Sequence, residues 1–142
     1  MTITTPILEP LLIAAACGQL IVAALNLRLE RILGWTLHLK ELPPLMREVF
    51  VVHKWFISIT LAIFAVITLR FAGDFAQGNV LIGRWLAAGI GTFWTIRTAI
   101  QWCYYGREHW TGRGRETAIH WILTVAYGGC SAVYLFCAFR PH

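Results

Sequence analysis

Arg97 lies inside an apolar run, with Trp94 one turn before it and Gln101 one turn after. A cation at membrane depth costs roughly 2.5–3.5 kcal/mol on insertion scales, so such a residue marks a functional site by default and its partner has to be found. No acidic residue lies on the same run. Other groups able to do chemistry sit toward the same side of neighbouring runs: Asn26, His53, His120 and Tyr127. Together with Arg97, Gln101 and Trp94 they form a set of ligand-binding candidates.

Three chemistries fit these residue types. Two neutral imidazoles facing each other across a helical bundle ligate a b-type haem, and a cation meets its propionates. His53 and His120 would be the axial pair and Arg97 the propionate partner. A quinone is the second, its carbonyl oxygens held by a histidine and Arg97 while Trp94 or Tyr127 packs on the ring. A transition metal is the third, since Glu48, His53, Glu116 and His120 supply the carboxylate and imidazole donors that suit iron or zinc. The spacing Glu116-x-x-x-His120 differs from the Glu-x-x-His of carboxylate-bridged bundles and from His-Glu-x-x-His.

The elements that position these groups are apolar runs. The chain is 58% hydrophobic and 13% charged, against about 45–50% and about 25% in soluble domains, and its mean hydropathy is +0.63. The excess collects into four runs, approximately residues 7–27, 50–71, 81–105 and 117–139. Each exceeds the roughly 18 residues that mark a span of a ~30 Å hydrocarbon core. The expected fold is all-α: an integral membrane four-helix bundle forming a single domain over residues 1–142. Before Pro10 the chain has no basic segment of the kind that opens a signal peptide, so the first span is expected to be retained. Cys17, Cys103, Cys130 and Cys137 fall inside spans without a CxxC pair, so they imply no disulfide framework.

The net charge of +5 is unevenly placed. Arg28, Arg31, Lys40, Arg47 and Lys54 flank the first connection, and Arg107, Arg113 and Arg115 lie in the third. The opposite side carries Arg70, Arg84 and Arg140. The positive-inside rule places the first and third connections in the cytoplasm and both termini outside. Localisation is then a multi-pass membrane protein, in a bacterium of the cell (inner) membrane. The basic charge serves topology and anionic headgroups, and no soluble face remains for nucleic acid.

Within the connections, Gly34 offers a helix stop, residues Trp35 to Lys40 suit an interfacial segment, and Pro43-Pro44 precedes a helix starting near Leu45. Residues 72–80 read as a turn, and glycines give residues 106–116 an irregular path. Trp102, Tyr104, Tyr105 and Trp110 form a cytoplasmic aromatic belt, with Trp85 at the outer side.

Arg97 has two readings. Its long side chain can snorkel to the headgroups, or it can face the bundle. Gly83, Ala87 and Gly91 lie on the same stripe and would let a neighbour approach closely, which favours the bundle. Gly18, Gly89, Gly128 and Gly129 offer further close-packing positions. On the last span Thr117, Thr124, Tyr127 and Ser131 recur at three- and four-residue steps, facing either helices or a polar cavity. Ser and Thr in spans also bond the backbone carbonyl one turn back.

The leading function is an accessory or binding subunit of a membrane complex with a cytoplasmic-side polar pocket around Arg97. It would be partnered by anionic lipid and by a membrane protein or further copies of itself. A redox subunit holding haem or quinone through His53 and His120 is the alternative, and an anion-conducting transporter a further one. Proton-coupled cation export needs a membrane-embedded carboxylate, which the spans lack. No phosphate-binding loop or nucleophile elbow occurs, so a soluble-substrate enzyme is not expected.

Overall fold

The computed structural model describes residues 5–104 and 114–140, and of Thr5, Arg115 and Glu116 the backbone alone. Tyr105, His109, Trp110 and most of the third connection therefore lie outside the described residues, as does the side chain of Glu116. The described residues form helices and no strand. The helices are α1 (Thr5–Ile32), α2 (Thr36–Glu41), α3 (Pro44–Gln77), α4 (Leu81–Cys103) and α5 (Gly114–Phe139).

Their boundaries follow local chemistry. Gly34 adopts φ +70°, and the amides of Leu33, Gly34 and Trp35 bond back to carbonyls of the last turn of α1. This left-handed step is the helix stop glycine permits without strain. The interfacial segment that follows is a helix in its own right, which makes the element count five. α3 begins at Pro44, where a missing N–H costs nothing. It then continues to Gln77, through most of the stretch read as a turn. The regular stretch before Phe71, residues 44–70, would span about 40 Å at 1.5 Å per residue, beyond a ~30 Å core. Phe71 breaks the regular geometry at φ −122°, ψ 23°. Gly78 ends the helix at φ +68°.

Three segments are long and apolar enough to cross a membrane: Pro6–Ile32, Pro44–Gln77 and Thr117–Phe139. α4 has the length but not the apolarity, because Arg84, Arg97, Gln101 and several Gly, Thr and Trp residues dilute it.

The pattern of burial inverts that of a soluble protein. Ile21, Val52, Phe56, Val66, Ile82, Ile122 and Val125 are exposed, while Gln19, Ser58, Thr68, Gln101, Thr124 and Ser131 are buried. Along the most apolar stretch of α3 only 17% of residues are buried. Apolar side chains turned outward on this scale require an apolar surrounding, which is compatible with an integral membrane protein. Two of the buried hydroxyls bond within their own helices: Thr68 donates to the Phe64 carbonyl at 2.8 Å and Thr124 to that of His120 at 2.8 Å.

The chain divides into two compact units, one of residues 16–70 and one of residues 1–15 with 71–142. In the first, α1 meets α3 through polar groups. The Asn26 amide donates to the Lys54 carbonyl and to Ser58 Oγ, both at 3.0 Å. Ser58 lies within 3.2 Å of the Ala23 carbonyl, and Lys54 Nζ pairs with Glu30 at 3.0 Å.

In the second unit α4 and α5 pack as an antiparallel pair. Arg84 meets Ala138, Gly91 meets Leu135, Thr95 meets Ser131 and Gln101 meets His120, so one index falls as the other rises. Gly91 is a point of close approach. A Cβ there would lie 2.8 Å from Leu135 Cδ2 and 3.1 Å from its backbone nitrogen. Gly83 and Ala87 are buried on the same stripe, Gly83 against Phe75. The other glycines read as packing positions differ: Gly18, Gly89 and Gly129 meet nothing within 4 Å, and Gly128 meets only a methyl of Thr98 at 3.9 Å.

Candidate functional site

Arg97, Trp94 and Gln101 lie on one side of α4 because residues three and four apart share a helical face. That side meets α5. The Arg97 guanidinium lies over the Tyr127 ring, 4.9 Å from its centroid. Tyr127 is buried and stacks with Trp94, their centroids 5.0 Å apart and their planes at 30°. The stripe Thr124, Tyr127 and Ser131 is buried. Ser131 Oγ lies 2.6 Å from Thr95 Oγ1.

Arg97 is half-buried. Among the described residues no carboxylate pairs with it, and its guanidinium meets the negative face of an aromatic ring, a contact worth about 2 kcal/mol when desolvated. Its neighbour Trp94 is 1% exposed, and its Nε1 has no hydrogen-bond acceptor among the described residues. A buried indole N–H normally finds one.

One turn toward the end of α4, Gln101 is buried and its Nε2 lies 2.9 Å from His120 Nδ1. An amide nitrogen only donates, so Nδ1 accepts and the neutral ring carries its proton on Nε2. Trp121 and Trp102 cover this end in an edge-to-face pair with centroids 5.6 Å apart, and His120 meets Trp121 edge-on at 5.7 Å.

Five of the residues singled out from the sequence thus come together: Trp94, Arg97, Gln101, His120 and Tyr127. Asn26 and His53 belong to the other compact unit. Asn26 spends both amide hydrogens on α3, as a clamp between helices. His53 is exposed, and its Nδ1 lies 2.9 Å from the Val49 carbonyl one turn back. Since a carbonyl only accepts, His53 carries its proton on Nδ1. The two histidines are therefore held in opposite tautomers. A haem iron takes an unprotonated ring nitrogen. His53 offers one at Nε2. His120 has Nδ1 committed to Gln101 and a proton on Nε2, so it does not fit an axial role while that bond is made. Glu48 is exposed. Among the described residues no three of His, Cys, Asp and Glu gather where a metal ion could be held.

Sequence reasoning missed two features. Ser58 and the Lys54–Glu30 pair complete the Asn26 clamp, but their partners are separated by 24 to 35 residues and no local pattern reports them. Arg84 and Arg140 were read as topological charges only. Arg84 Nε donates to the Ala138 carbonyl at 2.9 Å, and Arg140 Nη2 donates to the Gln77 carbonyl. They cap the ends of α5 and α3, and cations at helix C-termini are the signal that could have found them.

No family model matches the chain, and neither a curated protein nor a solved structure is similar to it.

Proposed function

We propose that this chain is an integral membrane protein with four spanning helices, α1, α3, α4 and α5, both termini outside. We propose further that it acts as an accessory or binding subunit, its Arg97 holding an anionic group of a ligand or partner. α4 would cross despite its polar residues because they are spent on α5. Arg97 rests on Tyr127 and Gln101 on His120, so neither is presented bare to lipid. The positive-inside count then puts the Arg97 end of α4 on the cytoplasmic side.

One observation carries the binding role. Arg97 rests on an aromatic face and pairs with no carboxylate among the described residues, and a ring face leaves a guanidinium its positive charge, which supports its meeting an anion. A lipid phosphate and a partner's carboxylate are both of that kind. A purely structural arginine in lipid would ordinarily be paired with an acid. Seven tryptophans and no enzymatic motif accord with a subunit that anchors and binds.

Native mass spectrometry of the chain released from mild detergent tests this. Wild type should carry stoichiometric anionic lipid or a partner chain, and Arg97→Gln should carry one equivalent less while keeping its helix content. A lone, adduct-free monomer for both proteins would overturn the reading.

A further inference from the structure

About 20 Å along α4 from Arg97, at 1.5 Å per residue, Arg84 stands between two hollows of different chemistry. One, of about 220 Å³, is apolar and is bounded by Leu81, Trp85, Ala88 and Phe139 with Arg84. The other, of about 280 Å³, is bounded by Gly78, Asn79, Leu81 and the same Arg84. Arg84 thus borders both an apolar groove and a hollow of mixed polar and apolar lining. Its Nε is committed to Ala138, and its two Nη groups have no acceptor among the described residues.

Arg140 reinforces the charge at this end. It is 8% exposed, and its Nε and Nη1 are buried without a hydrogen-bond acceptor. Its Nη2 reaches Gln77, the residue before Gly78 of the mixed hollow. Capping offsets roughly half a charge at each helix end, which leaves two guanidinium ions under-compensated. The nearest acids in this unit by position, Glu9 and Asp74, are exposed and pair with neither arginine. A buried cation without a counter-charge is costly, and an anion beside Arg84 would relieve it.

We propose that this end of the α4–α5 pair binds an anionic phospholipid. The phosphate would sit on the Arg84 Nη groups, with Arg140 as the buried charge behind it, and an acyl chain would lie in the groove between Trp85, Ala88 and Phe139. A small inorganic anion would need the mixed hollow alone. The apolar groove beside it selects an amphiphile. The inference rests on membrane insertion but not on the Arg97 site.

The test is titration of the purified full-length chain in detergent with phosphatidylglycerol or phosphatidylcholine of identical acyl chains, read by native mass spectrometry. Wild type should prefer phosphatidylglycerol by about tenfold, equivalent to about 1.4 kcal/mol. Arg84→Gln, made in an Arg97→Gln background that empties the other anion site, should abolish the preference. Ala88→Phe, which fills the groove and keeps both arginines, should weaken phosphatidylglycerol by a similar factor and covers the case in which loss of the α5 cap unfolds Arg84→Gln. Arg97→Gln removes only the other anion site, so a phosphatidylglycerol preference that survives Arg97→Gln and disappears on adding Arg84→Gln belongs to this site, and failure here is separable from failure of the Arg97 site. Equal binding of the two lipids by wild type, retention of the preference in the folded double variant, or unaltered binding by Ala88→Phe would overturn the proposal. So would displacement of the lipid by equimolar inorganic phosphate, which would mark a small-anion site.

Discussion

The Arg97 guanidinium sits 4.9 Å from the centroid of the Tyr127 ring, so a charge inside an apolar run is met across helices by an aromatic face. The relationship is testable by a double-mutant cycle. Arg97→Gln and Tyr127→Leu should each lower the unfolding midpoint in detergent, and the pair should be non-additive by about 1–2 kcal/mol. Additive effects would mean that the guanidinium gains nothing from the ring.

Gly91 is a point where α4 and α5 come close. Gly91→Ala places a methyl group 2.8 Å from the Leu135 side chain and 3.1 Å from its backbone nitrogen. The rigid backbone atom cannot move aside as a side chain would. The expected loss is about 1–3 kcal/mol. Gly89→Ala, with open space around it, is the control and should be neutral or slightly stabilising. Equal thermal midpoints for the two variants would contradict this packing.

The Gln101–His120 bond makes a spectroscopic prediction. With Nδ1 accepting, the ¹⁵N spectrum of neutral His120 should show the proton on Nε2, whereas His53 should show it on Nδ1. Gln101→Leu should release His120 to a tautomeric mixture and cost about 1 kcal/mol. A Nδ1-protonated His120 in the wild type would require the Gln101 amide oxygen, not its nitrogen, to face the ring and would restore Nε2 as a ligand for iron.

The Asn26 clamp is predicted to stabilise residues 16–70. Asn26→Leu removes both amide bonds to α3, and interhelical hydrogen bonds in membranes average about 0.6 kcal/mol each, with a maximum near 1.7. The midpoint should fall by roughly 1–2 kcal/mol. Glu30→Gln, at the more accessible ion pair, should cost under about 1 kcal/mol and lose its effect at high salt. A larger loss for Glu30→Gln than for Asn26→Leu would show that charge, not the amide, ties these helices.

The helices were legible in the sequence because they are written locally. Apolar runs of spanning length, Gly34 as a stop and Pro44 as a start are properties of neighbouring residues. The face of α4 that bears Gly83, Ala87, Gly91, Arg97 and Gln101 follows from helical periodicity alone, and so does the stripe Thr124, Tyr127 and Ser131 on α5. The continuation of helix beyond the break at Phe71 to Gln77 was not legible, because Gly73 and Asp74 are ordinary turn residues.

Tertiary structure decided which of these faces meet. Pairing α4 with α5 antiparallel set Arg97 on Tyr127 and Gln101 on His120, and it placed Asn26 and His53 in the other unit. It also turned Arg84 and Arg140 from topological charges into caps on α5 and α3. The physical reason is range. Helix propensity and hydropathy act within a few residues, whereas a cation–π contact, an interhelical hydrogen bond or a helix cap depends on partners 19 to 63 residues away. Their distance in sequence carries no trace of their distance in space.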